Sequence, residues 1–76
     1  MKIKSDEIRT IISNSTQFRG ELDEDAIFTE SGIDSLDLFS ILMAIEEKYA
    51  IKIPDEDATD LRSIRAVLEY LEKRIG

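Results

Sequence analysis

Residues 32–37 read Gly32-Ile33-Asp34-Ser35-Leu36-Asp37, and the run they open continues Leu38-Phe39-Ser40-Ile41-Leu42-Met43-Ala44-Ile45-Glu46-Glu47-Lys48-Tyr49. An aspartate just ahead of an apolar periodic run caps a helix, because its carboxylate accepts a hydrogen bond from an N–H of the first turn. Asp37, three residues after Asp34, makes the pair resemble a capping box. Leu38, Leu42, Ile45 and Tyr49 recur at helical spacing as a core stripe, widened by Phe39, Ile41 and Met43. The spacing predicts a helix from about Ser35 to about Tyr49. Ser35 stands in its first turn, where N–H groups point outward and the helix dipole favours an anion. A phosphate ester on that hydroxyl would lie in a favourable field. Nothing else in the chain offers comparable chemistry.

Toward the N-terminus, residues 17–34 read as a long loop with Gly20, Gly32 and many acids. A structureless loop of that length is unusual, so Leu22, Ile27 and Phe28 are expected to pin it across the helices. Ahead of it, Ser5 is a candidate N-cap with Asp6 and Glu7 in the first turn. Ile8, Ile11 and Ile12 recur at helical spacing behind Ile3, which predicts a first helix from about Ser5 to about Ser15.

Toward the C-terminus, Ile51-Lys52-Ile53 is strand-like over three residues, too short to form a sheet alone. Pro54 suits the first turn of a short helix from Asp55 to about Asp60. Ser63 is placed to cap a last helix carrying Ile64, Val67, Leu68 and Leu71. Lys73 and Arg74 fall at its end and Gly76 comes last. The expected fold is all-α: a small bundle of three main helices and one short one, with a long first loop, in a single domain over 1–76.

The chain has 76 residues, no cysteine and no histidine. Without cysteine there is no disulfide and no thiolate site. Without histidine the commonest general base and metal ligand are missing, and so is any Ser-His-Asp triad. An independent enzyme is therefore the least favoured class, and no metal site is expected. No apolar run approaches the roughly 20 residues of a membrane span. The stretch Met1-Lys2-Ile3-Lys4-Ser5-Asp6-Glu7 has no apolar signal core. A cytoplasmic location is the expectation.

The net charge is -7, and it is unevenly placed. Between Gly20 and Leu61 there are 13 carboxylates against two lysines, and no basic residue lies between Arg19 and Lys48. Such a surface repels nucleic-acid phosphates and anionic membranes, and attracts proteins with Lys/Arg patches. The bland reading is a solvated acidic face. Likewise a serine before an apolar run is ordinarily only a helix-start residue, Met43 reads equally as gap-filling core, and Glu46 and Glu47 read equally as solvated. Phe39 stays open between core and exposed contact.

The stretch Phe28 to Pro54 also resembles the acyl carrier protein family. The carrying residues are Asp34-Ser35-Leu36 at the head of the helix, the acids Glu46-Glu47, and Ile53-Pro54-Asp55 after it, within F-T-E-S-G-I-D-S-L-D, I-E-E-K-Y and I-K-I-P-D. The resemblance implies that Ser35 is the attachment point of 4′-phosphopantetheine, taken from coenzyme A by a phosphopantetheinyl transferase with magnesium, with Asp34 and Leu36 flanking it. The arm ends in a thiol that carries an acyl chain as a thioester. Leu36, Asp37, Met43, Glu46 and Glu47 take the positions that face partner enzymes. These would be acyl-transferring or acyl-activating enzymes and synthases with basic docking patches. Phe28, Leu42, Ile45, Ile53, Ala58, Leu61, Leu68 and Leu71 form the core that would part for an acyl chain.

The chain departs from the family's usual pattern. Ser40 stands where carriers of general fatty acid synthesis have a glutamate, Leu38 and Phe39 where they have small residues, and Ser31 where a leucine precedes the glycine. Ser13 to Arg19 is also unlike the usual run. These changes alter the docking face rather than the attachment point. The expectation is a specialised, free-standing, monomeric carrier, with no nucleic acid and no membrane insertion. The alternatives are an aminoacyl or aryl carrier, in which a Gly-Gly-His/Asp-Ser stretch is common, and an unmodified acidic module that binds a basic protein.

Overall fold

Three amphipathic helices meet along isoleucine-rich faces in the computed structural model, which describes residues 3–18, 20 and 22–75. They are α1 (Ser5–Ser15), α2 (Ser35–Tyr49) and α4 (Ile64–Arg74). A 3-10 turn at Phe28–Glu30 precedes α2, and the short α3 (Asp55–Ala58) follows it. Each long helix buries residues spaced three and four apart: Ile8, Ile11 and Ile12 on α1, Ile41, Leu42 and Ile45 on α2, and Ile64, Val67 and Leu71 on α4. Helix α1 packs against both α2 and α4. Burying one such side chain is worth about 1.5–3 kcal/mol, while a capping bond is worth about 1 kcal/mol. The apolar faces therefore fix the packing, and the caps trim the ends.

The all-α expectation holds, with no strand among the described residues. The Ile51-Lys52-Ile53 stretch takes no regular secondary structure and forms no ladder among the described residues. The second helix spans the expected residues, but its buried side centres on Ile41 and Ile45. Leu38 and Tyr49 are half-buried, and Phe39 and Met43 face solvent at 61% and 67% exposure. Met43 as core filler is thereby overturned, and Phe39 is resolved as an exposed side chain.

Three local expectations are corrected. Ser5 is not the cap of α1. Lys4 takes that position with extended backbone, its N–H donating to Glu7 Oε2 at 3.2 Å, while Ser5 Oγ accepts from the Arg9 guanidinium at 3.1 Å. Pro54 lies just outside α3, in extended conformation, and the helix closes at Ala58 because Asp60 and Leu61 bond back only three residues. Ser63 does cap α4, accepting from Ala66 N–H at 3.2 Å. The reading of Gly76 as its terminator lies outside the described residues.

The long loop is tied rather than structureless. Leu22 and Phe28 are buried as expected, and Ile27 is half-buried. The ties are polar. The Arg9 guanidinium donates twice to the Leu22 carbonyl, at 3.2 and 3.1 Å. Phe28 N–H donates to the Arg62 carbonyl at 2.7 Å, and Arg65 N–H to the Glu24 carbonyl at 2.8 Å. The Arg65 guanidinium also pairs with Asp25 and lies 3.7 Å from a Glu24 oxygen. The loop is thus strapped to α1 at one point and to the start of α4 at three.

Candidate functional site

The head of α2 is positioned by the four residues before Ser35. Phe28 is fully buried, and its carbonyl accepts from both Ser31 N–H (3.0 Å) and Ile33 N–H (3.1 Å). Gly32 turns the chain at φ +101, a conformation side-chain-bearing residues rarely adopt. The turn drives Ile33 into the core, at 1% exposure. Asp34 then caps the helix: its Oδ1 accepts from Asp37 N–H at 2.9 Å, and its carbonyl accepts from Leu38 N–H at 2.9 Å. Only this half of the expected capping box is made, since no return bond joins Asp34 N–H to the Asp37 carboxylate among the described residues. The burial of Ile33 was not foreseen; its signal was an apolar residue beside a turn glycine.

Ser35 is the first residue of α2 and is exposed. Its hydroxyl makes no hydrogen bond among the described residues, so the oxygen is open to solvent and to reaction. Beside it lies an open groove of about 460 Å³, lined by Ser35, Leu38, Phe39, Leu42, Asp55, Ala58 and Thr59. It is mainly apolar, with residues of α2 and α3 as its walls and Ser35 in its lining. A second recess shares Phe39, Leu42, Asp55 and Ala58 and adds Met43, Glu46 and Ile53. An exposed serine at a helix head, in the lining of an apolar groove, suits a covalently held arm with an apolar cargo. A diffusible substrate would need convergent polar groups, whereas this lining is mainly apolar.

The other predicted residues distribute around this point. Leu36 is 76% exposed, and with Phe39 and Met43 it forms an exposed apolar row at spacings of three and four along α2. Asp34 is exposed, Asp37 is half-buried, and Glu47 is exposed. Glu46 differs. It is half-buried, and its Oε2 accepts from Ile53 N–H at 2.7 Å. Of the acids grouped at α2 and α3, none forms an ion pair among the described residues. Arg9, Lys48 and Arg65 pair instead with Asp6, Glu7, Glu24 and Asp25. The face around Ser35 therefore keeps its negative potential. No group of three or more acids among the described residues converges so as to hold a metal ion, and no helix is long and apolar enough to cross a membrane.

Comparison with known proteins bears directly on this site. The family model described as "Phosphopantetheine attachment site" matches residues 6–71. An acyl carrier protein of Bdellovibrio bacteriovorus is 43% identical over 51 residues, 67% of this chain and 65% of that protein. One of Campylobacter concisus is 46% identical over 50 residues, covering 66% and 65%. One of Solidesulfovibrio magneticus is 39% identical over 57 residues, covering 74% and 73%. The matched stretch thus spans 65% of the first two relatives, just under two thirds of their length.

Proposed function

We propose, from the premise that the chain belongs to the acyl carrier protein family, that it carries acyl groups on 4′-phosphopantetheine attached at Ser35 Oγ. The observation that carries this reading is the exposed Ser35 hydroxyl, without a hydrogen bond among the described residues, in the lining of the apolar groove between α2 and α3. When bound, the group supplies a terminal thiol that holds an acyl chain as a thioester, chemistry that a cysteine-free chain otherwise lacks.

The chain's own residues do the rest. Ile33 and Gly32 fix the helix head, and Asp34 caps it, so the serine oxygen is presented rather than folded back onto the backbone. The positive end of the α2 dipole offsets part of the repulsion that Asp34 and Asp37 exert on a phosphate. Leu38, Leu42 and Ala58 give an apolar cargo somewhere to lie. Leu36, Asp37, Met43 and Glu47 form the face read by a phosphopantetheinyl transferase and by acyl-handling enzymes with basic patches. Carriers are not catalysts, and in this reading the chain presents its cargo to cytoplasmic enzymes.

The test is intact mass after incubation with coenzyme A, magnesium and a broad-specificity transferase. One phosphopantetheine on the wild type and none on Ser35→Ala is expected; an arm on the Ala variant would refute the assignment. The bulk of Leu38 and Phe39 beside the serine supports partners other than those of general fatty acid synthesis. A packed contact overfilled by such bulk costs about 1–3 kcal/mol, more than the roughly 0.2–1 kcal/mol of a surface ion pair lost at Ser40. Malonyl-loaded protein should turn over poorly with a general ketosynthase and recover more with Leu38→Thr plus Phe39→Val than with Ser40→Glu. Housekeeping-level turnover by the wild type would sink the specialised reading.

A further inference from the structure

The short helix α3 forms one wall of the groove at Ser35, yet little holds it. It has four residues and buries none of them, with Ala58 only packed against the rim of the core. Its packing thus contributes little, and side-chain tethers become decisive. There is one on each side. Past its middle, Tyr70 OH on α4 donates to Asp57 Oδ2 at 2.8 Å. Ahead of it, Ile53 N–H donates to Glu46 Oε2 at 2.7 Å, a short bond to a carboxylate in a part-buried setting.

Glu46 also takes part in closing α2. Its backbone carbonyl accepts from Ala50 N–H and, at 3.1 Å, from Ile51 N–H. One residue therefore closes the helix with its backbone and holds the outgoing strand of chain with its side chain. Glu46 and Ile53 line the same recess as Phe39, Leu42 and Ala58, the side chains that also line the groove at Ser35.

We propose that Glu46 is a positioning residue: by holding Ile53 N–H, its carboxylate sets where α3 stands and how wide the groove beside Ser35 opens. The part concerning cargo rests on the carrier reading above; the part concerning α3 does not. Glu46→Gln keeps an oxygen that can accept the bond and loses the charge. Glu46→Ala loses both.

The first readout is amide hydrogen exchange in the unmodified protein. Glu46→Ala should speed exchange at Ile53 and along Asp55–Ala58 by about tenfold, the scale of one charge-assisted hydrogen bond, with α1 and α4 unchanged. Glu46→Gln should stay close to wild type. Unchanged exchange in the Ala variant, equal loss in Ala and Gln, or a rise spread evenly over α1 and α4 would each overturn the role. The second readout is hydroxylamine attack on an octanoyl thioester carried at Ser35. It should be faster in Glu46→Ala and near wild type in Glu46→Gln. Equal rates in all three, with exchange altered as expected, would overturn the link to the groove. If Ser35 accepts no arm, the carrier reading fails and exchange alone decides the role of Glu46.

Discussion

The Tyr49 hydroxyl on α2 donates to Glu7 Oε1 on α1 at 3.3 Å, across 42 residues of sequence, and Lys48 Nζ stands 4.0 Å from the same oxygen. This pairing locks the C-terminal end of α2 to the first turn of α1. It also gives the fold a titratable tie.

Burial, then the negative charge of Glu7, then the hydrogen bond to it push the Tyr49 phenol up from 10.0 to about 12. The fold thus favours the protonated phenol. That stabilisation is complete below pH 10, where unfolded tyrosine is also protonated, and it is lost as pH rises from 10 toward 12. Tyr70 is also raised, by burial and then by its bond to Asp57, so the measurement belongs in a Tyr70→Phe background. Urea unfolding there should show stability falling across that window, and Tyr49→Phe should flatten the fall. Glu7→Gln should lower the Tyr49 titration without returning it to 10, because burial is the larger cause. A full return would contradict that order.

Ala50 ends α2 with left-handed backbone at φ 55 and ψ 48. A Cβ in that region costs about 1 kcal/mol or more, which glycine avoids. Part of the gain is returned through glycine's looser unfolded state, so Ala50→Gly should stabilise the fold by about 0.5–1 kcal/mol. The urea midpoint should rise with the slope unchanged. A lower midpoint would mean that the methyl group makes a packing contribution larger than the strain.

Glu46 and Glu47 are adjacent in sequence but do different work. Glu47 is exposed and forms no ion pair among the described residues, whereas Glu46 holds Ile53 N–H. Glu47→Lys should slow association with a basic transferase, with the largest difference at low salt, because exposed charges are screened over about 8 Å at physiological ionic strength. Its melting temperature should barely move. Glu46→Lys should slow association and also lower the melting temperature, since an ammonium cannot accept the Ile53 bond. Stopped-flow rates independent of salt for the wild type would remove the electrostatic account, and equal melting temperatures for the two variants would remove the distinction between them.

Much of this molecule was legible in its residues because the signals are local. The three long helices announce themselves through Ile8-Ile11-Ile12, Leu38-Leu42-Ile45-Tyr49 and Ile64-Val67-Leu68-Leu71, whose periodicity needs no knowledge of the partner helix. The Asp34 and Ser63 caps are equally local, each acting on an N–H three residues on. Ser35 could be singled out because a helix head, flanking acids and a chain free of histidine and cysteine left no rival. What only the tertiary structure decided depends on residues far apart in sequence or on which side of a helix wins burial. The pattern of α2 could not choose between Ile41 and the pair Phe39 and Met43, which lie on opposite flanks of the Leu38-Leu42-Ile45-Tyr49 stripe; contact with α1 and the Phe28 turn chose the Ile41 flank for burial. The long loop became a strapped segment through Arg9, Arg62 and Arg65, whose bonds to Leu22, Phe28 and Glu24 have no local signature. Glu46 read as one surface acid among many, because a side chain that bonds a backbone N–H seven residues on, beyond the left-handed turn at Ala50, leaves no periodic signature.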